Sequence, residues 1–109
     1  MGSYTVGDVV IVPFPYADFS KFKKRPALVV GQAEFNNLIL CQITSKADTS
    51  ALALSINDSN FAQGTLSIKS FIRYDKLFTV ESSVLEGVIG SLKKDVIVLV
   101  QSKIREIFQ

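Results

Sequence analysis

Residues 7–30 read GDVVIVPFPYADFSKFKKRPALVV, and the fold is predicted outward from this stretch. Its two apolar runs, 9–12 and 27–30, are typical of buried strands. The segment between them, residues 16–24, is rich in aromatic and basic side chains. The stretch therefore predicts two strands that are joined by a positively charged loop.

The positive charge of this stretch is concentrated near its end. Four of the chain's twelve lysines and arginines fall within five positions, although the formal net charge of the chain is only +2. These four residues are Lys21, Lys23, Lys24 and Arg25. Such a local field attracts phosphate groups. Because Pro26 biases the preceding residue toward extended backbone, we expect the Arg25 guanidinium to be held where the loop becomes a strand.

Short apolar segments separated by turn residues continue along the chain. We predict strands at residues 9–14, 27–32, 38–43, 51–56, 66–72 and 72–79. The turn-like residues 34–37 indicate that the second and third strands form a hairpin. Pro13 and Pro15 are expected to end the first strand or to place it at a sheet edge. Six short strands of this spacing predict a small, strongly curved barrel.

The last segment has a helical periodicity. Residues 92–108 contain no glycine or proline, and Ser91 is a candidate N-cap. Apolar residues recur at a spacing of 3.6 residues, at Ile97, Val100, Ile104 and Ile107. We therefore predict a mainly β fold with one C-terminal helix packed on the barrel.

Length and composition fit one domain. The 109 residues are 48% apolar, which is enough for one core and too little for a second domain. The single cysteine, Cys41, lies in an apolar run, so we expect a buried, inert thiol and a reducing cytoplasm. No signal-peptide pattern is visible, and the longest apolar run, 96–100, is far shorter than the roughly 18 residues of a membrane span. These features predict a soluble cytoplasmic protein without a membrane partner.

The side-chain inventory limits the possible chemistry. The chain has no histidine, one cysteine, and ten carboxylates without the close spacing of a zinc or calcium site. We expect neither a metal nor another cofactor. Without histidine, catalysis near neutral pH must rely on Asp, Glu, Arg, Lys, Tyr or hydroxyl groups.

Several motifs in order resemble the MazF/PemK toxins of bacterial toxin-antitoxin pairs. They are GDVV, PFPYADFS, RPALVV, CQITS at 41–45, IRYDKLFTV at 72–80 and the terminal apolar helix. The resemblance covers nearly the whole chain and implies an SH3-like barrel that forms a homodimer. It also implies a metal-independent endoribonuclease that cleaves single-stranded RNA by attack of the 2′-OH, leaving 2′,3′-cyclic phosphate and 5′-OH ends. The implied partners are RNA and a cognate antitoxin, with operator DNA bound only within the antitoxin complex.

The resemblance implies four catalytic residues, Arg25, Thr44, Arg73 and Asp75. Arginine suits a crowded phosphate because its fork of donors matches the phosphate oxygens. The Thr44 hydroxyl can contact the scissile phosphate, and otherwise it would only start a turn. Arg73 and Asp75 are two residues apart, so on a strand they share a face. We assign Asp75 as the base and Arg73 as a charge stabiliser, since a guanidinium hardly deprotonates; a surface ion pair is the alternative.

Other residues around these four are candidates for RNA binding. They are Ser20, Lys21, Phe22, Lys23, Lys24 and Ser45. Ser20 can hydrogen-bond phosphate from the loop; the alternative is a solvated loop serine. The aromatic residues Phe14, Tyr16, Phe19 and Phe22 can stack on unpaired bases, or Phe14 can be a core residue that the others shield. A histidine that some members carry in the first loop is absent here, which excludes the histidine-dependent variant of the mechanism.

Two non-catalytic functions remain as alternatives. Some toxins with this barrel act on DNA gyrase, and a diverged barrel can bind RNA without cutting it. A gyrase-directed toxin would not need the basic loop or the phosphate-facing residues. Their joint presence favours the ribonuclease.

Overall fold

A computed structural model describes residues 3–15, 22–46 and 50–109, which form one antiparallel sheet and one α-helix. The strands are β1 (Asp8–Pro15), β2 (Phe22–Gln32), β3 (Asn37–Thr44), β4 (Ala53–Ile56), β5 (Phe61–Gly64), β6 (Ser70–Glu81) and β7 (Val88–Leu92). The helix α1 spans Lys94–Ile107, and two short 3-10 turns span Asp58–Asn60 and Ser82–Val84. The strand order is β4-β6-β3-β2-β1-β7-β5. The sheet is curled into a half-barrel, as the sequence predicts.

The sequence predicts six strands and the structure has seven in the described residues, because β5 and β7 are not predicted and β6 replaces the two predicted strands 66–72 and 72–79. Both β5 and β7 contain glycine, which is depleted in strands and indicates turns. The two strands need these glycines, since Gly64 pairs with Gly90 and a Cβ on Gly90 would collide with the carbonyl oxygen of Gln63. The predicted strand 66–72 is also partly wrong. The sheet resumes only at Ser70, after Ser67 adopts a positive φ of 60°.

The hairpin between β2 and β3 is confirmed. The amide of Asn37 donates to the carbonyl of Glu34 at 3.2 Å, which closes a four-residue turn. Its two central residues, Phe35 and Asn36, have φ values of 60° and 62°. A two-residue turn with two positive φ values matches the right-handed twist of the flanking strands. The side chain of Phe35 is 86% exposed at the tip.

The inner face of the sheet carries the main core. Ile56 of β4 and Phe61 of β5 join the same buried cluster although they lie on opposite sheet edges, so this face is the concave one. Val96 and Val100 of α1 complete the cluster. Cys41 is fully buried there, and burial raises the pKa of its thiol to about 12. The expected burial of this thiol is confirmed.

The helix begins later than predicted. Ser91 is not the N-cap, because it belongs to β7 and pairs with Asp8 of β1. Lys93 occupies the N-cap position and makes no side-chain capping hydrogen bond. The helix ends are stabilised by charge instead, because Asp95 in the first turn and Arg105 in the last turn interact favourably with the helix dipole.

A second apolar cluster lies on the outer face of the sheet. Its buried members include Val10, Val12, Ala27 and Leu40, with Phe14 and Phe78 packed against them. The rings of Phe14 and Phe78 meet edge to face with centroids 5.1 Å apart. Of the two roles that the sequence leaves open for Phe14, base stacking and core packing, the structure supports packing.

The prolines of β1 lie where one side of the strand is unpaired in the described sheet. β7 pairs only with residues Asp8, Val9 and Val10, whereas pairing with β2 continues to Pro15. The missing amide hydrogen of Pro13 is tolerated at such an edge. In the described residues, no helix has the length and apolar character that crossing a membrane requires.

Candidate active site

The four predicted catalytic residues lie on the outer face of neighbouring strands. Ala27, a member of the outer cluster, pairs with Gln42 on β3, and Gln42 pairs with Arg73 on β6. Directly paired residues project to the same face of a sheet, and so do residues two apart on one strand. Thr44, two residues after Gln42, therefore shares this face.

Arg25 reaches the same face from β2. It pairs with Val12 of the outer cluster, and it is two residues before Ala27. Continuing the β2–β3 register from the Ala27–Gln42 pair brings Arg25 level with Thr44. The structure thus brings together residues that are far apart in the sequence.

The position of Arg25 differs from the sequence prediction. β2 begins at Phe22, so Arg25 lies inside the strand and not at its boundary. The strand is longer because pairing with β1 extends to Pro15 and Phe22, and a ladder of backbone hydrogen bonds tolerates polar side chains that point to solvent. Lys23 and Lys24 are consequently strand residues and not loop cations, which corrects that expectation. Lys24 also forms an ion pair with Glu86 at 2.8 Å, with 68% of the lysine side chain exposed.

A groove of about 370 Å³ lies at the ends of β2 and β3. Its walls include Lys23, Arg25, Thr44, Lys46, Ile68 and Ser70. Arg25 is half-buried, and no carboxylate of the described residues lies within ion-pair distance of it. A half-buried guanidinium without a carboxylate partner favours an anion such as phosphate.

The Thr44 hydroxyl is fixed by the turn that follows β3. It accepts a hydrogen bond from the amide of Lys46 at 3.1 Å and donates one to the carbonyl oxygen of the same residue at 3.3 Å. Such a local hydroxyl–backbone contact is typical of a serine or threonine turn. Thr44 also lines the groove, and its hydroxyl can donate to a ligand there once it releases the Lys46 carbonyl.

Arg73 and Asp75 form a two-pronged ion pair. The Arg73 Nε donates to Asp75 Oδ1 at 3.1 Å, and Nη2 donates to Oδ2 at 3.0 Å. The two side chains are 19% and 24% exposed. The hydrogen bonds from Arg73 hold the pKa of Asp75 below its usual value, although partial burial opposes this shift. Asp75 is therefore ionised at neutral pH.

The predicted RNA-binding residues are only partly described. Ser20 and Lys21 lie outside the described residues, together with Tyr16 and Phe19, and so does the side chain of Phe22. Ser45 is exposed at the groove.

The sequence reasoning missed two polar residues at the site. Lys46 lines the groove, and Gln42 lies between Ala27 and Arg73 on the outer face. The signal for Gln42 was present, since it is the one polar residue inside the apolar run 38–43.

In the described part of the chain, the carboxylates are dispersed over the fold. Across residues 3–15, 22–46 and 50–109, no three His, Cys, Asp or Glu side chains come together as a possible metal site. Positive charge at the groove comes from arginine and lysine side chains.

Comparison with known proteins identifies the family. The model of the PemK-like, MazF-like toxins of type II toxin-antitoxin systems matches residues 5–108. No functionally curated protein matches the sequence.

Solved structures show the same fold at low sequence identity. The MazE-MazF structure from Deinococcus radiodurans aligns with a TM-score of 0.77 and 19% identity, over 98% of this chain and 97% of that chain. The Mycobacterium tuberculosis toxin MazF-mt6 gives 0.70 and 20%, over 93% and 95%. An endoribonuclease in complex with its cognate antitoxin from Mycobacterial species gives 0.76 and 12%, over 97% and 95%. With a family match over residues 5–108 and this half-barrel fold, the chain belongs to the PemK-like, MazF-like toxins of type II toxin-antitoxin systems.

Proposed function

We propose that this toxin is an endoribonuclease that cleaves single-stranded RNA without a metal ion. The observation that carries the proposal is the clustering of Arg25, Thr44, Arg73 and Asp75 on one sheet face beside a basic groove. RNA cleavage by its own 2′-OH needs a proton acceptor and stabilisation of a crowded, charged phosphate. These four side chains can supply both.

Each residue has a distinct role in the proposed reaction. The half-buried Arg25 guanidinium binds the scissile phosphate. The Thr44 hydroxyl exchanges its hydrogen bond to the Lys46 carbonyl for one to a phosphate oxygen. Asp75 accepts the proton of the 2′-OH while the bond from O2′ to phosphorus forms. The bond from phosphorus to O5′ then breaks, and O5′ takes a proton from water. The hydroxide that remains takes the proton from Asp75, which restores the carboxylate. Arg73 stabilises the charge that develops, and it orients Asp75 through their paired hydrogen bonds.

The lowered pKa of Asp75 limits how much it can contribute as a base. The carboxylate is in the correct protonation state at neutral pH, but a general base is most effective when its pKa lies near the working pH. We therefore expect Asp75→Asn to slow cleavage by about 10²-fold, at the low end of the usual 10²- to 10⁴-fold range. The wild-type rate should fall as the pH drops through the lowered pKa, and the variant should lose this dependence.

A positioning role for Asp75 would give a different result. If the carboxylate only holds Arg73, then Asp75→Asn and Arg73→Lys should slow cleavage to a similar extent, and the double variant should be no slower than either single variant. This result would remove Asp75 from the reaction and leave Arg25 and Thr44 as the centre.

The test of the proposed function uses a long RNA in excess EDTA. We expect cleavage to persist, and mapping of the fragment ends should find 2′,3′-cyclic phosphate and 5′-OH termini. Loss of cleavage in EDTA that magnesium restores would overturn metal independence. Binding of RNA without any cleavage, with or without magnesium, would favour the non-catalytic RNA-binding alternative.

We further propose a homodimer and a cognate antitoxin as the partners of the toxin in the cytoplasm. Membership of a type II toxin family supports a paired antitoxin. Any operator DNA would be bound only through that antitoxin. The basic groove is a suitable surface for an acidic antitoxin segment, because opposite charge steers the association.

A further inference from the structure

Phe71 is an aromatic residue whose position apolar packing does not explain. It lies on β6 between Thr44 of β3 and Ser55 of β4, which are its direct pairing partners. Both neighbours are small and carry hydroxyl groups. The ring is half-buried, yet neither apolar cluster of the described residues includes it. A ring in such surroundings has a face that can accept a planar ligand.

The Lys69 ammonium lies over the face of this ring, so a stacked base would displace it toward the neighbouring backbone phosphate. The Nζ atom of Lys69 is 5.9 Å from the centroid of the Phe71 ring. Ser70, the residue between them, lines the groove, whose walls also carry Arg25 and Lys46. Phe71 itself does not line the groove, but its direct pairing partner Thr44 does, so the ring lies beside the groove on the outer face. This combination of positive charges and an aromatic face is typical of surfaces that bind single-stranded nucleic acid.

The distances suit one nucleotide. Directly paired residues of neighbouring antiparallel strands have Cβ atoms about 4.5–5.5 Å apart. A phosphate at the Thr44 hydroxyl and a base on the Phe71 ring would thus be separated by little more than one sugar. Stacking on an aromatic ring does not depend on the identity of the base, because every base has a π face.

We propose that Phe71 is a stacking platform for the nucleobase next to the phosphate that Thr44 binds, with Lys69 contacting the adjacent backbone. The proposal rests on the proposed function, since it places single-stranded RNA in the groove. Phe71 would hold the sugar of the reacting nucleotide against the sheet. It is a positioning residue for the reaction and takes no part in proton transfer.

The experiment separates stacking from charge by comparing two probes. One is a short single-stranded 2′-deoxy oligomer of mixed sequence, and the other is an abasic oligomer of equal length and charge. Phe71→Leu should weaken binding of the first by roughly 5- to 150-fold, the range of one aromatic–base stack, and leave binding of the second unchanged. Phe71→Tyr, which keeps the ring, should bind both as the wild type does. Lys69→Gln should weaken both equally, because it removes a phosphate contact.

A fluorescent variant gives an independent readout. The chain contains no tryptophan, so Phe71→Trp introduces a single indole whose emission reports stacking directly. The base-bearing oligomer should quench this emission, and the abasic oligomer should not. This measurement also stands if Phe71→Leu fails to fold.

Failure of the Phe71 stacking platform and failure of the ribonuclease proposal give different results. Equal weakening of both probes by Phe71→Leu, or unchanged indole emission at saturating base-bearing oligomer, would overturn the platform even if RNA is cleaved. Base-dependent binding through Phe71 by a wild-type protein that cleaves no RNA would keep the platform and overturn the ribonuclease.

Discussion

At the scale of single residues, Arg25 is expected to act mainly in the transition state. It is half-buried, held inside β2 and level with Thr44. Arg25→Ala should lower the single-turnover rate at saturating RNA by roughly 10²-fold or more, because it removes charge stabilisation at the reacting phosphate. Arg25→Lys is the matched control, since it keeps the charge and loses the fork of donors. If the Arg25→Ala variant cleaves saturating RNA at the full rate, Arg25 contributes to RNA binding only and not to the transition state.

The two lysines before Arg25 should contribute unequally to binding. Lys24 is paired with Glu86 at 2.8 Å, whereas Lys23 has no carboxylate partner within the described part of the chain. Lys23→Ala should flatten the plot of log affinity against log salt by about 0.7, the value for one single-strand phosphate contact. Lys24→Ala should flatten it less, because Glu86 already offsets that charge. The measurement is binding to an uncleavable 2′-deoxy oligomer at several salt concentrations. A larger effect of Lys24→Ala than of Lys23→Ala would contradict this order.

At the scale of elements, the hairpin tip carries local strain. Phe35 has a φ of 60° and is 86% exposed, so a bulky residue occupies a left-handed position without compensating burial. Asparagine tolerates this backbone region much better. Phe35→Asn should raise the free energy of unfolding by about 0.5–1 kcal/mol, measured by urea unfolding. Phe35→Leu keeps the strain and should leave stability nearly unchanged. A destabilised Phe35→Asn would indicate that the exposed ring makes a stabilising contact.

The sequence allows prediction of the elements whose patterns agree with their propensities. The apolar runs of β1, β2 and β3 and the helical spacing of α1 indicate their structures directly. The glycine-containing strands β5 and β7 cannot be recognised in this way, because close approach of Gly64 and Gly90 appears only when the strands are paired. The length of β2 was missed for a related reason, since only its pairing with β1 makes Lys23 a strand residue.

For the candidate site, the sequence proposes the members but not their arrangement. The family resemblance names Arg25 and Thr44, but the register of three strands is needed to bring them beside Arg73. Gln42 and Phe71 stand on the same face only because of this register. Long-range pairing of this kind has no local sequence signal.

At the scale of the whole molecule, the Arg73–Asp75 pair should make stability depend on pH. The pKa of Asp75 is lowered in the folded state, so its ionised form stabilises the fold. This contribution should be fully present above about pH 3.9, the ordinary Asp value, and should be lost as the pH falls through the lowered pKa.

Asp75→Asn provides the measurement for this dependence. It should cost about 1 kcal/mol of unfolding free energy at neutral pH, a modest value because the pair is partly exposed. The difference from the wild type should vanish in strong acid. Arg73→Gln and the double variant complete a double-mutant cycle, which gives the interaction energy between Arg73 and Asp75. If the difference in unfolding free energy between the wild type and Asp75→Asn stays constant down to strong acid, the Arg73–Asp75 ion pair is not its cause.

The basic groove also predicts how the antitoxin silences the toxin. An acidic, disordered antitoxin segment should bind over Lys23, Arg25 and Lys46 and exclude RNA. We expect competition between the cognate antitoxin and an uncleavable RNA analogue, measured by displacement. Equal antitoxin affinity for the free toxin and for the toxin with bound analogue would rule out occlusion.

The fully buried Cys41 gives the molecule an intrinsic probe of its own opening. Its thiol is the only one in the chain, and both burial and the raised pKa keep it from reacting with alkylating or disulfide reagents in the folded state. The Cys41 thiol can therefore be labelled only when the region around β3 opens. The labelling rate under native conditions then measures how often the sheet centre is exposed, without any engineered dye. Antitoxin or RNA that binds only the folded toxin should slow this labelling in proportion to the stability that each adds.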